Sequence, residues 1–409
     1  MVKSLRGMKD LIESEGEKFE YIIDTMRDIV KRYSFKYIET PILEESSLFI
    51  RSVGESSDIV GKEMYRFIDK GGNDVSLRPE GTAGVVRAII QKKFDKQPNF
   101  KGRYYYFGPM FRYERPQKGR FREFHQFGVE SFGFDSVYED FSIIEMAYNI
   151  LKSFNLDFKL KINSLGCSSC MPNYREDLVT FLEGKRDNLC EDCQRRIDTN
   201  PIRVLDCKNS SCQEILKDAP LLKDNLCESC RSDIEELMEL LKDANIEFEY
   251  DSKLVRGLDY YTKSAFEFVT NKLGAQSAII GGGRYDRLVE FLGGKSTPAV
   301  GFAVGIERLM ELIELSKDKL SGYYLGSMVE DGIKILLKIA SNIRKRDLAY
   351  VEYEPKSIKA HLKSANRGNF KYALILGEDE LKSGKILQKN LEDSTQEEIL
   401  IESLINAKL

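Results

Sequence analysis

All eight cysteines of this 409-residue chain lie between Cys167 and Cys230. They form four close pairs, Cys167-x-x-Cys170, Cys190-x-x-Cys193, Cys207-x-x-x-x-Cys212 and Cys227-x-x-Cys230. Clustering of this kind constrains the fold, because it marks a segment of distinct character inside the chain. The flanks read as sheet, whereas from Gly166 to about Asn245 charged helical stretches such as EDCQRRID and CESCRSDIEELMELLKDA take over. Residues 166–245 are therefore expected to form an inserted, mainly helical, cysteine-rich domain. In a reducing compartment, an even number of paired cysteines suggests metal before disulfides. Two pairs make one tetrahedral thiolate site, so the eight could hold two structural Zn2+ ions, with the assignment of pairs to ions open. About 80 residues of mostly charged helix should bury little apolar surface and gain much from a metal clip. A closed four-thiolate site leaves no position for a substrate, so such metal would stand outside catalysis.

The flanking sequence has its own periodicities. Phe19, Ile22, Ile23, Met26, Ile29, Val30 and Tyr33 recur at three- and four-residue spacings, which predicts an amphipathic helix over residues 14–33. Period-two stretches MYRF and VSLR flank Lys70-Gly71-Gly72-Asn73, a hairpin composition. The aromatic-rich YYYFGPMFRYE and FREFHQFGVESFGF read as strands joined by a polar loop, Arg115 to Arg120. After the insertion, YYTKSAFEFVT and AQSAII read as strands, followed by a Gly281-Gly282-Gly283 turn and the short helix DRLVEFLG. AVGFAVGIERLMELIEL then reads as a strand running into a helix. Beyond Leu320, strands and helices alternate through YYLGSM, IKILLKIASNIRKR, LAYVEYE, SIKAHLKSA, YALILG and QEEILIESLINAKL, which favours a separate α/β domain. The expected class is α+β. A core of residues 1–165 and 246–320 carries an antiparallel sheet, and residues 323–409 form the C-terminal domain.

Composition narrows the function. A net charge of −4 argues against gripping nucleic acid over the whole surface, so any RNA contact must come from local basic patches. Two histidines, His125 and His361, make a histidine-rich metal centre hard to build. Neither a signal-peptide-like start nor eighteen successive uncharged apolar residues occurs, so a cytoplasmic chain without membrane contact is expected.

Three stretches can carry chemistry. From Arg112 to Arg122 inclusive there are five basic residues and one acid, and the basic ones can offer bidentate donors to phosphate oxygens; a solvated basic hairpin is the plainer reading. In LVRGLDYY, Arg256 stands among apolar residues, either serving a ligand or bridging an internal carboxylate such as Asp259. In GFAVGIERL, small residues leave room beside a strand, for a ligand or for helix packing. The glycines at 281–283 lack the spacing of a phosphate-binding loop.

In this order and at these separations, the stretches resemble the motifs of class II aminoacyl-tRNA synthetases. Pro41 in IETPILEESSLF resembles motif 1, FRYERP through FHQFGVE motif 2, and AVGFAVGIERL motif 3. LVRGLDYY and GGGRYD resemble the two histidine-specific signatures of the histidyl-tRNA synthetase family of bacterial type, as does RPEGTAG at residues 78–84. The likeness runs from Arg6-Gly7 to the C-terminus. It implies a class II antiparallel-sheet catalytic core, a helical insertion and a C-terminal α/β anticodon-binding domain. The implied reaction joins L-histidine to ATP, giving histidyl-adenylate and pyrophosphate, and then passes histidine to the 3′ end of tRNA(His). Mg2+ accompanies the ATP.

Residue by residue, the resemblance makes Arg112 and Arg256 catalytic, one on each side of the α-phosphate and within the histidine site. It places Arg120 and Arg308 on the outer phosphates and Phe124 on adenine. Glu80, Thr82 and Gln126 match amino-group contacts, Glu130 and Tyr261 imidazole contacts, and Tyr260 and Tyr285 line the pocket. His125 reads as structural. Arg115 and Gln117 match the loop that meets the tRNA acceptor end, while Lys334, Lys338, Arg344, Lys345 and Arg346 offer phosphate contacts in the C-terminal domain. A homodimer through the Pro41 region is implied, whereas the family does not depend on the insertion's cysteines. The main alternative is the synthetase-like regulatory subunit of ATP phosphoribosyltransferase, which keeps the core but lacks the anticodon-binding domain. A nucleic-acid-binding module with dead catalysis is the third reading.

Overall fold

The computed structural model of the protein describes residues 2–54, 57, 59–207, 209–256, 260–273, 278–314 and 321–406, with only the backbone at Asp206. Asp259, weighed above as a partner of Arg256, and residues 275–277 of the AQSAII stretch lie outside them. The chain divides into two compact units, Met1–Glu314 and Leu315–Leu409.

The first unit is built on an eight-stranded sheet. Its spatial order is Lys36–Tyr37, Gly102–Phe111, Glu123–Phe132, Ala299–Gly305, Ala278–Arg284, Thr262–Val269, Lys159–Ser164 and Phe248–Tyr250. Only the two outermost pairings are parallel. The helices Ser14–Arg32 and Val137–Ser153 contribute to the core on one face of this sheet. The first buries Ile22, Ile23, Met26, Ile29 and Val30, the residues its spacing singles out. Burial of each such side chain contributes about 1.5–3 kcal/mol. Strands Arg66–Ile68 and Asp74–Leu77 pair as a hairpin across Lys70–Asn73, and Leu43–Glu45 completes a small three-stranded sheet.

The cysteine-rich segment belongs to this same unit. It contains helices Met171–Glu183, Glu191–Thr199, Ser210–Ile215 and Glu228–Asp243. The expectation of little apolar burial needs correction. Tyr174, Leu178, Leu182, Val204, Leu237 and Leu241 are fully buried and continuous with the main core, because each helix devotes a narrow apolar stripe to it.

The second unit is a five-stranded sheet in the order Ala349–Val351, Ser321–Ser327, Phe370–Leu376, Lys385–Asn390, Gln396–Leu400. The first three strands are parallel and the last three antiparallel. His361 is buried here, its Nδ1 3.0 Å from the Tyr324 hydroxyl and its Nε2 2.9 Å from the Ser327 carbonyl. Lys334, Lys338, Arg344, Lys345 and Arg346 are exposed on helix Glu330–Ile343 and just beyond it. No helix among the described residues is long and apolar enough to cross a membrane.

Candidate active site

Alternation along Glu123–Phe132 sorts its side chains between two faces. His125, Phe127 and Val129 turn toward the helices. The His125 ring lies 4.8 Å from that of Phe19, and its Nδ1 2.9 Å from Glu307. Phe124, Gln126 and Glu130 turn the other way and line a cleft of about 750 Å3.

One part of the cleft is acidic and aromatic. Glu80 is buried and accepts the backbone N–H groups of Thr82 and Ala83 at 2.7 and 2.8 Å, at the start of helix Thr82–Gln91. Thr82 Oγ1 donates to Glu130 at 2.7 Å, and the Tyr285 hydroxyl donates to the other Glu130 oxygen. Burial raises the Glu80 carboxyl against the pull of those N–H donors. Burial likewise pushes Glu130 up to about 8, although the bonds from Tyr285 and Thr82 act to lower it. Tyr260 and Tyr261 line this part, whereas Tyr285, expected beside them, is not among the lining residues and is fully buried with its hydroxyl on Glu130; the three ring centroids lie 4.8 to 6.4 Å apart.

Four arginines also line the cleft, Arg112, Arg120, Arg256 and Arg308. Arg112 is held by the Pro79 carbonyl at 2.9 Å and lies over the Phe124 ring at 5.2 Å. Arg120 meets Glu114 at 2.9 Å, Arg256 meets Glu267 at 2.8 Å, and Arg308 donates to the Ala278 carbonyl at 2.7 Å. Burial first, then the positive charges of Arg120 and Arg112, lower the Arg308 guanidinium. Mutual repulsion of that kind is relieved by a polyanion. Among the described residues, Arg120 Nε, Arg256 Nε and Gln126 Oε1 are buried without a hydrogen-bond partner. An unmet buried polar group costs about 1–3 kcal/mol, so three such atoms on one cleft favour a ligand that meets them.

The floor is made of small residues, and here one expectation is corrected. Gly281, Gly282 and Gly283 form the interior of strand Ala278–Arg284, not a turn. Space explains them. A Cβ on Gly281 would come within 2.0 Å of the Arg256 guanidinium, and one on Gly282 within 2.4 Å of the Gly301 carbonyl. Gly301 serves Glu130 similarly, since a Cβ there would stand 2.3 Å from its carboxylate. The next residue, Arg284, is buried against Asp140 and Asp286 and ties helix Val137–Ser153 to the sheet.

Arg115 and Gln117 are exposed on a tight hairpin closed by the paired backbones of Gln117 and Arg120, with Gly119 at φ +68° in the turn. Several cleft residues escaped the sequence reading. Glu267, the partner of Arg256, looks in AFEFV like an ordinary outward strand residue. Lys161, Asp251 and Lys253 also line the cleft, as do Leu205, Cys207 and Gln213 from the insertion. The eight cysteines gather into two quartets, Cys167, Cys170, Cys227, Cys230 and Cys190, Cys193, Cys207, Cys212.

Comparison with known proteins gives the chain's relatives. The family profile "Histidyl-tRNA synthetase" matches residues 7–309, and "Anticodon binding domain" matches residues 325–407. The chain is 58% identical to the histidine–tRNA ligase of Sulfurimonas denitrificans, over 98% of this chain and 100% of that one. It is 56% identical to the ligase of Campylobacter fetus, over 99% of each. Among solved structures, apo histidyl-tRNA synthetase of Staphylococcus aureus aligns with a TM-score of 0.82 at 35% identity, over 100% of this chain and 99% of that one.

Proposed function

The chain belongs to the histidyl-tRNA synthetase family and joins L-histidine to tRNA with ATP, and from that premise we propose how its cleft residues divide the reaction. The regulatory-subunit alternative is set aside by the full-length identity to ligases and by the anticodon-domain match. What supports the division is the pairing of an acidic, tyrosine-lined pocket with four arginines on one cleft.

Glu80 and Gln126 take the histidine ammonium, with Thr82 fixing both Glu80 and Glu130. Glu130 and Tyr261 take the imidazole. A carboxyl that titrates near 8 can donate to one imidazole nitrogen or accept from it, which suits a ligand that is itself both donor and acceptor. A pocket of hydrogen-bonding groups rejects apolar isosteres without editing. Arg112 and Arg256 flank the α-phosphate and hold the histidine carboxylate beside it, Arg120 and Arg308 take the outer phosphates, and Phe124 stacks on adenine.

The carboxylate oxygen bonds to the α-phosphorus as the bridging bond to the β-phosphate breaks, and pyrophosphate leaves. A terminal ribose hydroxyl of tRNA then attacks the carbonyl carbon, its proton passes to an oxygen of the departing phosphate, and AMP leaves with the electron pair. Both steps develop charge on oxygen, where preorganised guanidiniums act most strongly. The family uses ATP with Mg2+. The cleft offers oxygen donors of the hard type Mg2+ takes, in Glu114 and Glu307. The ion supplies charge neutralisation on the phosphates.

Beyond the cleft, Arg115 and Gln117 take the acceptor end, and the basic residues from Lys334 to Arg346 take phosphates of the anticodon arm; their exposure supports both roles. We assign the chain to the cytoplasm and to a homodimer through the Pro41 region. Exposed Ile42, Leu43, Phe67 and Ile68 around the small three-stranded sheet support a second copy as the cover. The insertion's cysteines are read as structural Zn2+ ligands.

The division is tested by steady-state kinetics. Glu80→Gln and Glu130→Gln should raise the KM for histidine more than that for ATP, and Arg120→Ala and Arg308→Ala the reverse. Equal effects on both substrates across the four variants would contradict it.

A further inference from the structure

The two thiolate quartets differ in their places in the fold. Cys167 and Cys170 follow strand Lys159–Ser164, and Cys227 and Cys230 open helix Glu228–Asp243, so the first quartet ties the entry of the insertion to the head of its last helix. The second quartet is nested inside. It joins Cys190 and Cys193, at the head of helix Glu191–Thr199, to Cys207 and Cys212.

Sulfur geometry favours metal in both. Within each quartet all sulfurs lie within 4.8 Å of one another. Cys167 stands 3.7 Å from Cys170 and 3.8 Å from Cys227, and Cys190 3.8 Å from Cys207. A tetrahedron with metal–sulfur bonds of about 2.3 Å has sulfur–sulfur edges of about 3.8 Å. Backbone N–H groups point at the sulfurs, from Cys227 to Cys170 at 3.2 Å, Cys190 to Cys212 at 3.2 Å and Asn209 to Cys207 at 3.4 Å. Such donors, with the two helix N-termini, suit thiolates.

Only the second quartet reaches the substrate cleft. Cys207 lines it, between Leu205 and Gln213, whereas none of the first quartet does among the described residues. The Gln213 side chain donates to the Cys207 carbonyl, tying these two lining residues together.

We propose that each quartet binds one Zn2+, and that the ion held by Cys190, Cys193, Cys207 and Cys212 positions Leu205, Cys207 and Gln213 in the wall of the substrate cleft. The inference rests on the structural-zinc reading and deepens it. The first ion clasps the stem of the insertion, while the second couples metal occupancy to substrate affinity. Both sites are coordinatively closed, so neither ion touches a reacting atom.

The test uses full-length protein purified without chelator. Wild type should contain close to two zinc per chain. Cys193→Ser should retain one and raise the KM for histidine or ATP about fivefold or more, the low end of measured couplings between sites. Cys170→Ser should also retain one zinc, with a lower melting temperature and a smaller KM change. Should Cys193→Ser fail to fold, Cys190→Ser, in the same quartet but not lining the cleft, provides the same readout of one zinc retained and a raised KM. One zinc in Cys193→Ser with both KM values unchanged would overturn the positioning role and leave the zinc reading standing. Less than a tenth of an equivalent in wild type, with all eight thiols titrating freely, would overturn both.

Discussion

Replacing Arg256 by alanine should cost adenylate formation about a thousandfold while the protein stays folded. Arg256 is half-buried in the cleft wall, with one guanidinium nitrogen on Glu267 at 2.8 Å and a buried Nε that has no partner among the described residues. At an effective dielectric near 20, two unit charges about 4 Å apart interact by about 4 kcal/mol. At 1.36 kcal/mol per tenfold, loss of that interaction with charge developing on the phosphate lowers the rate by about three powers of ten. Removing the cation also strands the Glu267 carboxylate on a surface that must accept ATP. Arg256→Ala with Glu267→Gln should therefore regain up to about tenfold over Arg256→Ala alone, a positive coupling in a double-mutant cycle. The assay is histidine-dependent exchange of labelled pyrophosphate into ATP, with histidine affinity measured by calorimetry. The rate should collapse while histidine binding weakens only modestly, because the interaction tightens in the transition state. Near-normal exchange in a folded Arg256→Ala protein would refute the reasoning.

Three further outcomes are expected. Gly281→Ala should leave stability within about 1 kcal/mol of wild type, since the displaced Arg256 guanidinium ends a flexible side chain. Its exchange rate should nonetheless fall at least about tenfold, and an unchanged rate would show that Arg256 does not act from its place above Gly281. Because Glu130 is raised to about 8, the folded chain keeps a proton that the unfolded chain releases near 4.5, so its contribution to stability declines as pH rises between those values. Glu130→Gln should remove that decline, on the order of a few kcal/mol; equal stability differences between pH 6 and pH 9 for the two proteins, by denaturant unfolding, would contradict it. Light scattering should give twice the 46.9 kDa of one chain, and Phe67→Glu with Ile68→Glu should shift the mass toward the single-chain value; a monomeric, active wild type at micromolar concentration would rule the dimer out.

Legibility in the sequence followed how local the cause was. The helix at Ser14–Arg32 was readable because its own spacing places five apolar residues on one stripe. The strand Glu123–Phe132 was readable from its aromatic, extended character. The glycines of Ala278–Arg284 read as a turn, because their cause is distant, namely Arg256, Phe302 and the Gly301 carbonyl crowding the sheet. The pair Lys385–Asn390 and Gln396–Leu400 was only half visible, since its residues are mostly polar or charged and Ile386 alone is fully buried there. In the cleft, the basic hairpin could have been plain surface on composition, and it was family resemblance that singled out its arginines. Glu267 had no local signal, being one acid in a strand. Which cysteine pairs converge was likewise hidden, because helix packing, not spacing, brings Cys167 and Cys170 to Cys227 and Cys230.

The most direct test of the account is pyrophosphate exchange by the wild-type protein, followed by charging of tRNA(His). It predicts exchange that requires L-histidine, is absent with other amino acids of similar size, and leads to histidine esterified on the tRNA. Exchange that proceeds equally without histidine, or binding of histidine and ATP with no exchange at all, would contradict it.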